Sequence, residues 1–376
     1  MNPVANLLSL TIVLFGAAPE AEPAAKPAKP RTEVYIEKYS SGKPRLERQV
    51  RLDAYGRRTP HGTETRYYSD GKKSLEGKYS EGQKEGLWTE WNIDGSKLAE
   101  VNYLHSKKQG SEKRWFRDGS PALIAAWDRG RKHGKFEEWY KADVKKSEGE
   151  FVNGDPHGTH KQWYDSGKER SIIDFDKGKR SGQESTWYAS GQKQLEAHYK
   201  QGKLEGPYVE WYADGKMKTR RNYQNGLLEG PDESWYESGQ LKAQGTYVKG
   251  QAEGAWNEWY DGEEHHPSVI WNFKGGKPNG VQTRFFKDGK KELETHFELG
   301  TVNGTWTEWF PTGQMKSQGN YVKGHKHGRF TYWHDNGKVS MIEEFKEGRK
   351  HGTWSEWDTE GKKLAERKYR DGVVVP

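Results

Sequence analysis

The sequence predicts an all-β fold, an elongated antiparallel sheet of tandem 24-residue β-hairpin repeats, and three observations predict it. First, glycines stand at Gly62, Gly86, Gly110, Gly134, Gly158, Gly182, Gly206, Gly230 and Gly254, each 24 residues from the last. The step to Gly280 is 26, after which Gly304, Gly328 and Gly352 resume the spacing of 24. Self-similarity at a fixed period of this length marks a repeat architecture. Second, two columns are aromatic in all thirteen units: one five residues after each lead glycine, as in Trp91, Trp211 and Trp357, and one seven residues before the next unit, as in Tyr79, Phe151 and Tyr247. Third, Asp-Gly, Asn-Gly and Ser-Gly pairs follow the first aromatic column, and glycine there supplies the positive φ of a β-turn.

Each unit therefore reads as strand, tight turn, strand, looser turn, with all neighbours antiparallel. Helix is excluded, because the segments between glycines are short and lack a 3.6-residue period. Composition agrees. Hydrophobic residues are 31% of the 376-residue chain, whereas Trp and Tyr number 17 and 20, so aromatics must supply the buried area. The mean hydropathy of −1.18 would suit a disordered chain, but disordered chains are poor in aromatics. One hairpin cannot bury its rings alone, so stability must come from stacking units on one another.

Four segments follow in order. Residues 1–18 resemble a secretory signal: Leu7 to Phe15 form an apolar run and Gly16-Ala17-Ala18 a small-residue cleavage site. The run is too short for a membrane span. Export to the periplasm, outer surface or medium is expected. With no cysteine anywhere, a lipoprotein anchor, a disulfide framework, a thiolate zinc site and a cysteine nucleophile are all ruled out. Residues 19–33 read as an Ala/Pro-rich linker. Residues 34–61 read as a degenerate capping repeat, whose Tyr39-Ser40-Ser41-Gly42-Lys43 repeats the turn. Residues 62–376 hold the thirteen units and a short tail, Val373 to Pro376, expected to cover the last strand edge.

Strand alternation sends successive side chains to opposite faces. The residue after each Trp of the first column therefore builds a stripe on the other face: Phe116, Tyr140, Tyr164, Tyr188, Tyr212, Tyr236, Tyr260, Phe286 and Phe310. This stripe is the best candidate for contact with a partner or ligand, because spaced rings can stack on sugars or on a partner's apolar side chains. The competing reading is that curl and cross-strand pairing bury it. At Asn92, His334 and Asp358 the stripe lacks its ring. A row of carboxylates, Glu90, Glu138, Glu210, Glu258, Glu308 and Glu356, shares that face and reads as a charged, solvent-side row.

Histidine recurs before the lead glycine at His61, His133, His157, His327 and His351. Equivalent positions lie about 10 Å apart along a sheet of hairpins, too far to share a metal bound at about 2 Å, and Glu, Gln, Ser or Asn fill the slot elsewhere. No metal, cofactor or catalytic site is expected, and no nucleophile elbow, zinc-helix motif or phosphate loop occurs. The net charge of +7 is small for this length and mixed along the chain. It permits weak attraction to anionic lipid or glycan without specifying either, and no nucleic-acid module is present. One unit breaks the pattern: Asp261 to Pro267 carry two extra residues in the turn. The unit from Gly134 lacks its turn glycine, having Asp143-Val144.

The units resemble MORN repeats, and among them the bacterial MORN variant of YwqK-like antitoxin-annotated proteins. The resemblance rests on turn motifs such as Arg129-Gly130-Arg131-Lys132-His133-Gly134 and on strand ends such as Trp163-Tyr164-Asp165-Ser166-Gly167-Lys168. It implies a non-enzymatic scaffold for protein–protein interaction. Glycan or acidic-lipid binding in the cell envelope is the alternative, and an antitoxin-like role applies only to a protein that is not exported.

Overall fold

The computed structural model describes residues 31–376. The signal-like segment and the linker up to Pro30 lie outside them. The described residues contain 33 strands and no helix, and strands pair antiparallel along the chain, as in Lys203–Trp211 with Met217–Gln224. The fold class is all-β, an antiparallel sheet of repeated hairpins. The first strand, Arg31–Lys38, begins inside the expected linker and pairs with Pro44–Leu52. The tail Val373–Val375 pairs with Lys363–Arg370 as expected. Two compact units are distinguishable, one of residues up to Gly95 with Tyr103–Ser106, the other of Ser96–Asn102 with everything from Lys107.

The two connections of a unit exchange the roles expected of them. The turn after the second aromatic is the tight one. Val248 and Gln251 pair across a two-residue connection in which Lys249 has φ 50° and Gly250 φ 78°. A two-residue hairpin needs positive φ at both positions to match strand twist. The same conformation recurs from Glu81-Gly82 to Asp371-Gly372, with Ser106 standing in for the glycine once. The Trp-Tyr-x-x-Gly-Lys connection is the longer loop. Tyr212 N–H donates to Lys216 O at 2.9 Å and Gly215 N–H to Tyr212 O at 3.0 Å. Within it Asp214 Oδ1 accepts the Lys216 amide at 3.0 Å, while Lys216 Nζ reaches the next loop at Glu237 O, 2.8 Å away. The Asp-Gly-Lys motif thus closes its own loop and ties it to its neighbour.

The lead glycine marks a β-bulge. All thirteen have φ between 68° and 120°. Opposite them the register shifts, as where Ala197 pairs with Tyr208 but Tyr199 with Leu204. The residue before it, the slot of the histidine column, meets the next tight turn. The tight turn of each unit points two successive amides at the preceding unit. Gly226 N–H donates to Leu204 O at 2.8 Å, and Asn225 N–H to the carboxylate of Glu205 at 2.7 Å. Consecutive amides of this kind form a concavity that favours an acceptor. Glu229, Glu253, Gln109, Asn279 and Asn303 take the same bond at 2.6, 2.7, 2.8, 3.2 and 3.1 Å. His61 and His133 take it through Nδ1 at 3.4 Å. The slot selects for an acceptor of the right reach, which His, Glu, Gln and Asn share. Glu229→Ala should lower stability by about 1 kcal/mol, as loss of one charged-acceptor bond at an exposed turn does, whereas Glu229→His should cost less; urea denaturation of both variants measures the difference.

In the unit from Gly134, the strand Arg131–Lys141 runs on past the usual end and turns through Ala142-Asp143 into Val144–Val152. Asp143, at φ 58°, replaces the missing turn glycine. The insertion at 261–266 makes a wider loop, closed by Tyr260 N–H to His266 O at 3.0 Å, in which the His265 ring stacks on Trp259 at 6.1 Å.

Candidate functional site

The face that carries the tyrosine stripe also carries the most buried side chains. Its core lies two residues after each lead glycine, and it alternates with the second aromatic column. In the larger unit, Tyr321, Phe330, Phe345, Trp354 and Tyr369 follow one another with ring centroids 5.5, 5.4, 5.5 and 5.0 Å apart. The first two steps meet edge to face, the arrangement ring quadrupoles favour. Four of the rings in this column lie directly over a glycine of the preceding unit: Trp88 on Gly77, His160 on Gly149, Trp256 on Gly245 and Phe330 on Gly319. These glycines have ordinary strand φ and are needed for close approach alone.

Where the column is acidic, the acid is buried. Glu64 and Glu112 are 0% and 1% exposed, and Glu184 and Asp232 are nearly so. Each has a cation. Glu64 pairs with Arg48 and Arg66, Glu112 with Lys108 at 2.6 Å and Arg114 at 2.9 Å, Glu184 with Arg180 at 2.8 Å, and Asp232 with Arg221 at 3.1 Å. Two residues before the lead glycine, the same lysine column lies over rings instead: Lys132 Nζ is 3.7 Å from the Phe136 centroid and Lys350 Nζ is 3.6 Å from that of Trp354. Burial holds the Lys132 ammonium below its usual pKa. This layer of carboxylates and cations was not foreseen from the sequence. Its signal was present for Glu64, Glu112 and Glu184, which have Lys or Arg two residues before the lead glycine or two after the acid, but not for Asp232, whose cation Arg221 comes from the adjacent strand.

The stripe itself is a hydrogen-bonded ladder. Tyr164, Tyr188, Tyr212, Tyr236 and Tyr260 donate their hydroxyls to the carbonyls of Trp187, Trp211, Trp235, Trp259 and Phe285 in the next unit, at 2.8, 2.9, 2.7, 2.8 and 2.8 Å. Burial pushes the Tyr212 and Tyr236 phenols above their usual range, so both stay protonated donors. Tyr68 makes the same bond to Trp91 O, and Tyr39 bonds Tyr67 O, both at 2.7 Å. His334, where the stripe lacks its ring, does the work with Nε2, 2.9 Å from Trp357 O. The rings are half-buried except Tyr140, which is 38% exposed after the altered turn, with Lys146 Nζ 5.7 Å from its centroid. Phe116, Phe286 and Phe310 have no hydroxyl to give. Tyr212→Phe should cost about 1 kcal/mol, the net worth of one part-buried hydrogen bond, and thermal unfolding of the variant measures it.

The glutamate row is less solvated than expected. All but Glu356 are half-buried. Glu138 pairs with Lys146 at 2.9 Å, Glu210 accepts from Tyr208 Oη at 2.8 Å, Glu258 from Trp256 Nε1 at 3.3 Å, and Glu308 from Ser317 Oγ at 3.1 Å. Packing beside the aromatic core, not open solvent, sets this row's surroundings. The Trp column on the opposite face stands beside lysines, as where Lys193 Nζ is 5.7 Å from Trp211, and Lys193 pairs in turn with Glu196 at 2.7 Å. Among the described residues, no group of three His, Asp or Glu is placed to hold a metal, and no helix is long and apolar enough to cross a membrane.

Residues 60–81, 180–201, 204–225, 228–249, 302–323 and 326–347 each match the family described as the MORN repeat variant. These six segments are similar to MORN-variant repeats. Each matched segment starts two residues before the lead glycine and ends at the first residue of the tight turn. The MORN-variant unit therefore corresponds to one bulged strand, one Asp-Gly-type loop and one return strand. No curated protein matches the chain. Among solved structures, a chain of "Crystal Structure of TcdB2-TccC3-Cdc42" is similar over 90% of this chain and 23% of its own, at 9% identity and a TM-score of 0.16. A chain of "Crystal Structure of TcdB2-TccC3-TEV" is similar over 88% and 21%, at 10% identity and 0.17. This chain spans less than a quarter of either, and likeness at that level carries no argument about function.

Proposed function

We propose that this MORN-variant protein is a non-enzymatic scaffold that binds other proteins and acts outside the cytoplasm, in the cell envelope or beyond. One observation carries the reading. The polar side chains most conspicuous in the sequence are spent on the lattice: phenols on the next unit's carbonyls, His61 and His133 on turn amides, and buried acids on fixed cations. What is left for recognition is a recurring half-exposed face of rings and paired charges, suited to surface contact more than to chemistry. The YwqK-like likeness of the units is a finer form of the same reading. The segment Leu7 to Ala18 supports export.

Crosslinking of the tagged full chain in its own cells, followed by identification of the captured proteins, tests the scaffold role. A partner retained in proportion to the bait is the expected result; none above background would overturn it. Cell fractionation with N-terminal sequencing tests export, with a mature end near Pro19 expected. Full-length protein in the cytosol would instead favour the antitoxin-like role. Glycan and acidic-lipid binding draw less support, because the stripe hydroxyls that would meet a sugar already donate to carbonyls.

A further inference from the structure

The phenol ladder, which lacks its hydroxyl at Asn92 and Phe116, is interrupted again over two consecutive units. Tyr260 bonds Phe285 O and His334 bonds Trp357 O, but between them stand Phe286 and Phe310, which have no hydroxyl. The carbonyl that Phe286 would serve, by its place in the repeat, is that of Trp309. At this step the surface opens into a hollow of about 230 Å³ whose lining includes Phe286, Trp309 and Phe310. Alternation sends the Trp309 side chain to the opposite face. What Trp309 offers to the hollow is therefore its main chain, the acceptor that a phenol fills in the units from Tyr164 to Tyr260.

The charges around the hollow are matched. Arg284 pairs with Glu292 at 3.1 Å and Lys316 with Glu308 at 3.5 Å. Two internal ion pairs leave no net charge to attract an ion, and a charged guest would have to displace a partner. Beside these paired charges the hollow is lined by two rings, Phe286 and Phe310, with Leu293 and Pro311, and the acceptor is a carbonyl, with two lone pairs to offer. The volume suits one ring and leaves no room for a chain of them. A neutral ring carrying one hydroxyl meets all of these conditions.

We infer that the hollow at Phe286 and Phe310 is a docking site for a tyrosyl side chain of a partner polypeptide, whose phenol supplies the hydrogen bond that this step of the ladder lacks. The partner's being a protein rests on the scaffold reading above; the site's preference for a phenol does not. A site that offers an acceptor to a hydroxyl discriminates strongly against the same ring without it, because the acceptor is then covered and unpaired.

The test uses the full chain and two small probes, N-acetyl-L-tyrosinamide and N-acetyl-L-phenylalaninamide, followed by ligand-observed NMR. The tyrosyl probe is expected to bind at least about tenfold more tightly than the phenylalanyl probe. Phe286→Tyr, which installs the phenol that serves Trp309 O, should weaken the tyrosyl probe at least about tenfold while leaving the unfolding midpoint at or above the parent's. Equal affinity for the two probes, no binding of either at millimolar concentration, or undiminished binding by the folded Phe286→Tyr variant would each overturn the site. Crosslinking separates the two ideas. A probe that binds with no polypeptide captured keeps the hollow and removes the scaffold. A partner captured equally by the parent and by Phe286→Tyr keeps the scaffold and removes the hollow.

Discussion

Gly319→Ala is expected to destabilise the protein by about 1–3 kcal/mol, the range for adding a methyl to a close-packed core. A Cβ built on Gly319 falls inside the ring of Phe330, which is 0% exposed. The ring has nowhere to go sideways, because Tyr321 and Phe345 meet its two flanks at centroid distances of 5.5 and 5.4 Å. Gly319 has ordinary strand φ, so alanine brings no backbone strain and the whole effect is packing. The chain supplies its own comparison. Phe136 holds the place of Phe330 but faces Ala125, and it is only half-buried. Gly319→Ala should push Phe330 toward that raised pose and expose part of a ring that is now wholly covered. The cost should shrink when Phe330 is first truncated: in a double-mutant cycle with Phe330→Ala, a coupling of at least about 1 kcal/mol is expected from chemical denaturation. Additive effects would mean that the ring and the glycine do not restrain each other. Gly245→Ala beneath Trp256 should behave in the same way.

How far the sequence reveals this structure differs between backbone and side chains. The hairpin period, the glycine bulge and the aromatic columns are legible because each rests on a backbone requirement that only one or two residue types meet. Positive φ needs glycine, and a thin sheet needs large rings. Which turn is tight is not legible from glycine alone, since both connections contain one; it depends on the residue before the glycine also adopting positive φ, as Lys249, Asn225 and Leu299 do without a shared chemistry. The stripe from Phe116 to Phe310 is legible as a column, but its use as a ladder is not. A tyrosine donating to a main-chain carbonyl 23 residues on, as Tyr188 does to Trp211, leaves no mark on the residue that accepts. That blindness extends to His334, which breaks the ring pattern while keeping the bond. The buried acids are harder still, because Glu112 and Trp88 occupy the same column and look unrelated until both are seen beneath a lysine from two residues before the lead glycine.

That lysine column carries the second large effect. Lys108→Ala is expected to cost about 2–3 kcal/mol, somewhat below the ~3–5 kcal/mol for a buried pair broken outright. Glu112 is 1% exposed and would keep Arg114, 2.9 Å away, as its only partner. Part of the loss is the contact of Lys108 Nζ with the Trp127 ring, 4.5 Å from its centroid. Burial alone would raise the Glu112 pKa, but hydrogen bonds from Lys108 and Arg114 overcome it and hold the carboxyl below its ordinary 4.5. A carboxylate with a depressed folded pKa contributes stability that is present above its unfolded pKa and disappears as pH falls through the folded one. Stability should therefore drop as the solution is taken below about pH 4.5, and Glu112→Gln should flatten that part of the profile. Glu112→Phe sets the converse condition. It removes the charge and restores the ring-under-lysine arrangement that Lys132 and Phe136 already show at 3.7 Å. Replacing a buried ion pair by apolar side chains of similar volume is often neutral or stabilising. Glu112→Phe should therefore retain most of the parent's stability at pH 7 and lose the part of the acid sensitivity that Glu112 contributes, while Lys108→Ala loses stability at pH 7. If Glu112→Phe proved as damaging as Lys108→Ala, the column would be selecting for the carboxylate itself, and the equivalence of acid and ring within the repeat would be wrong.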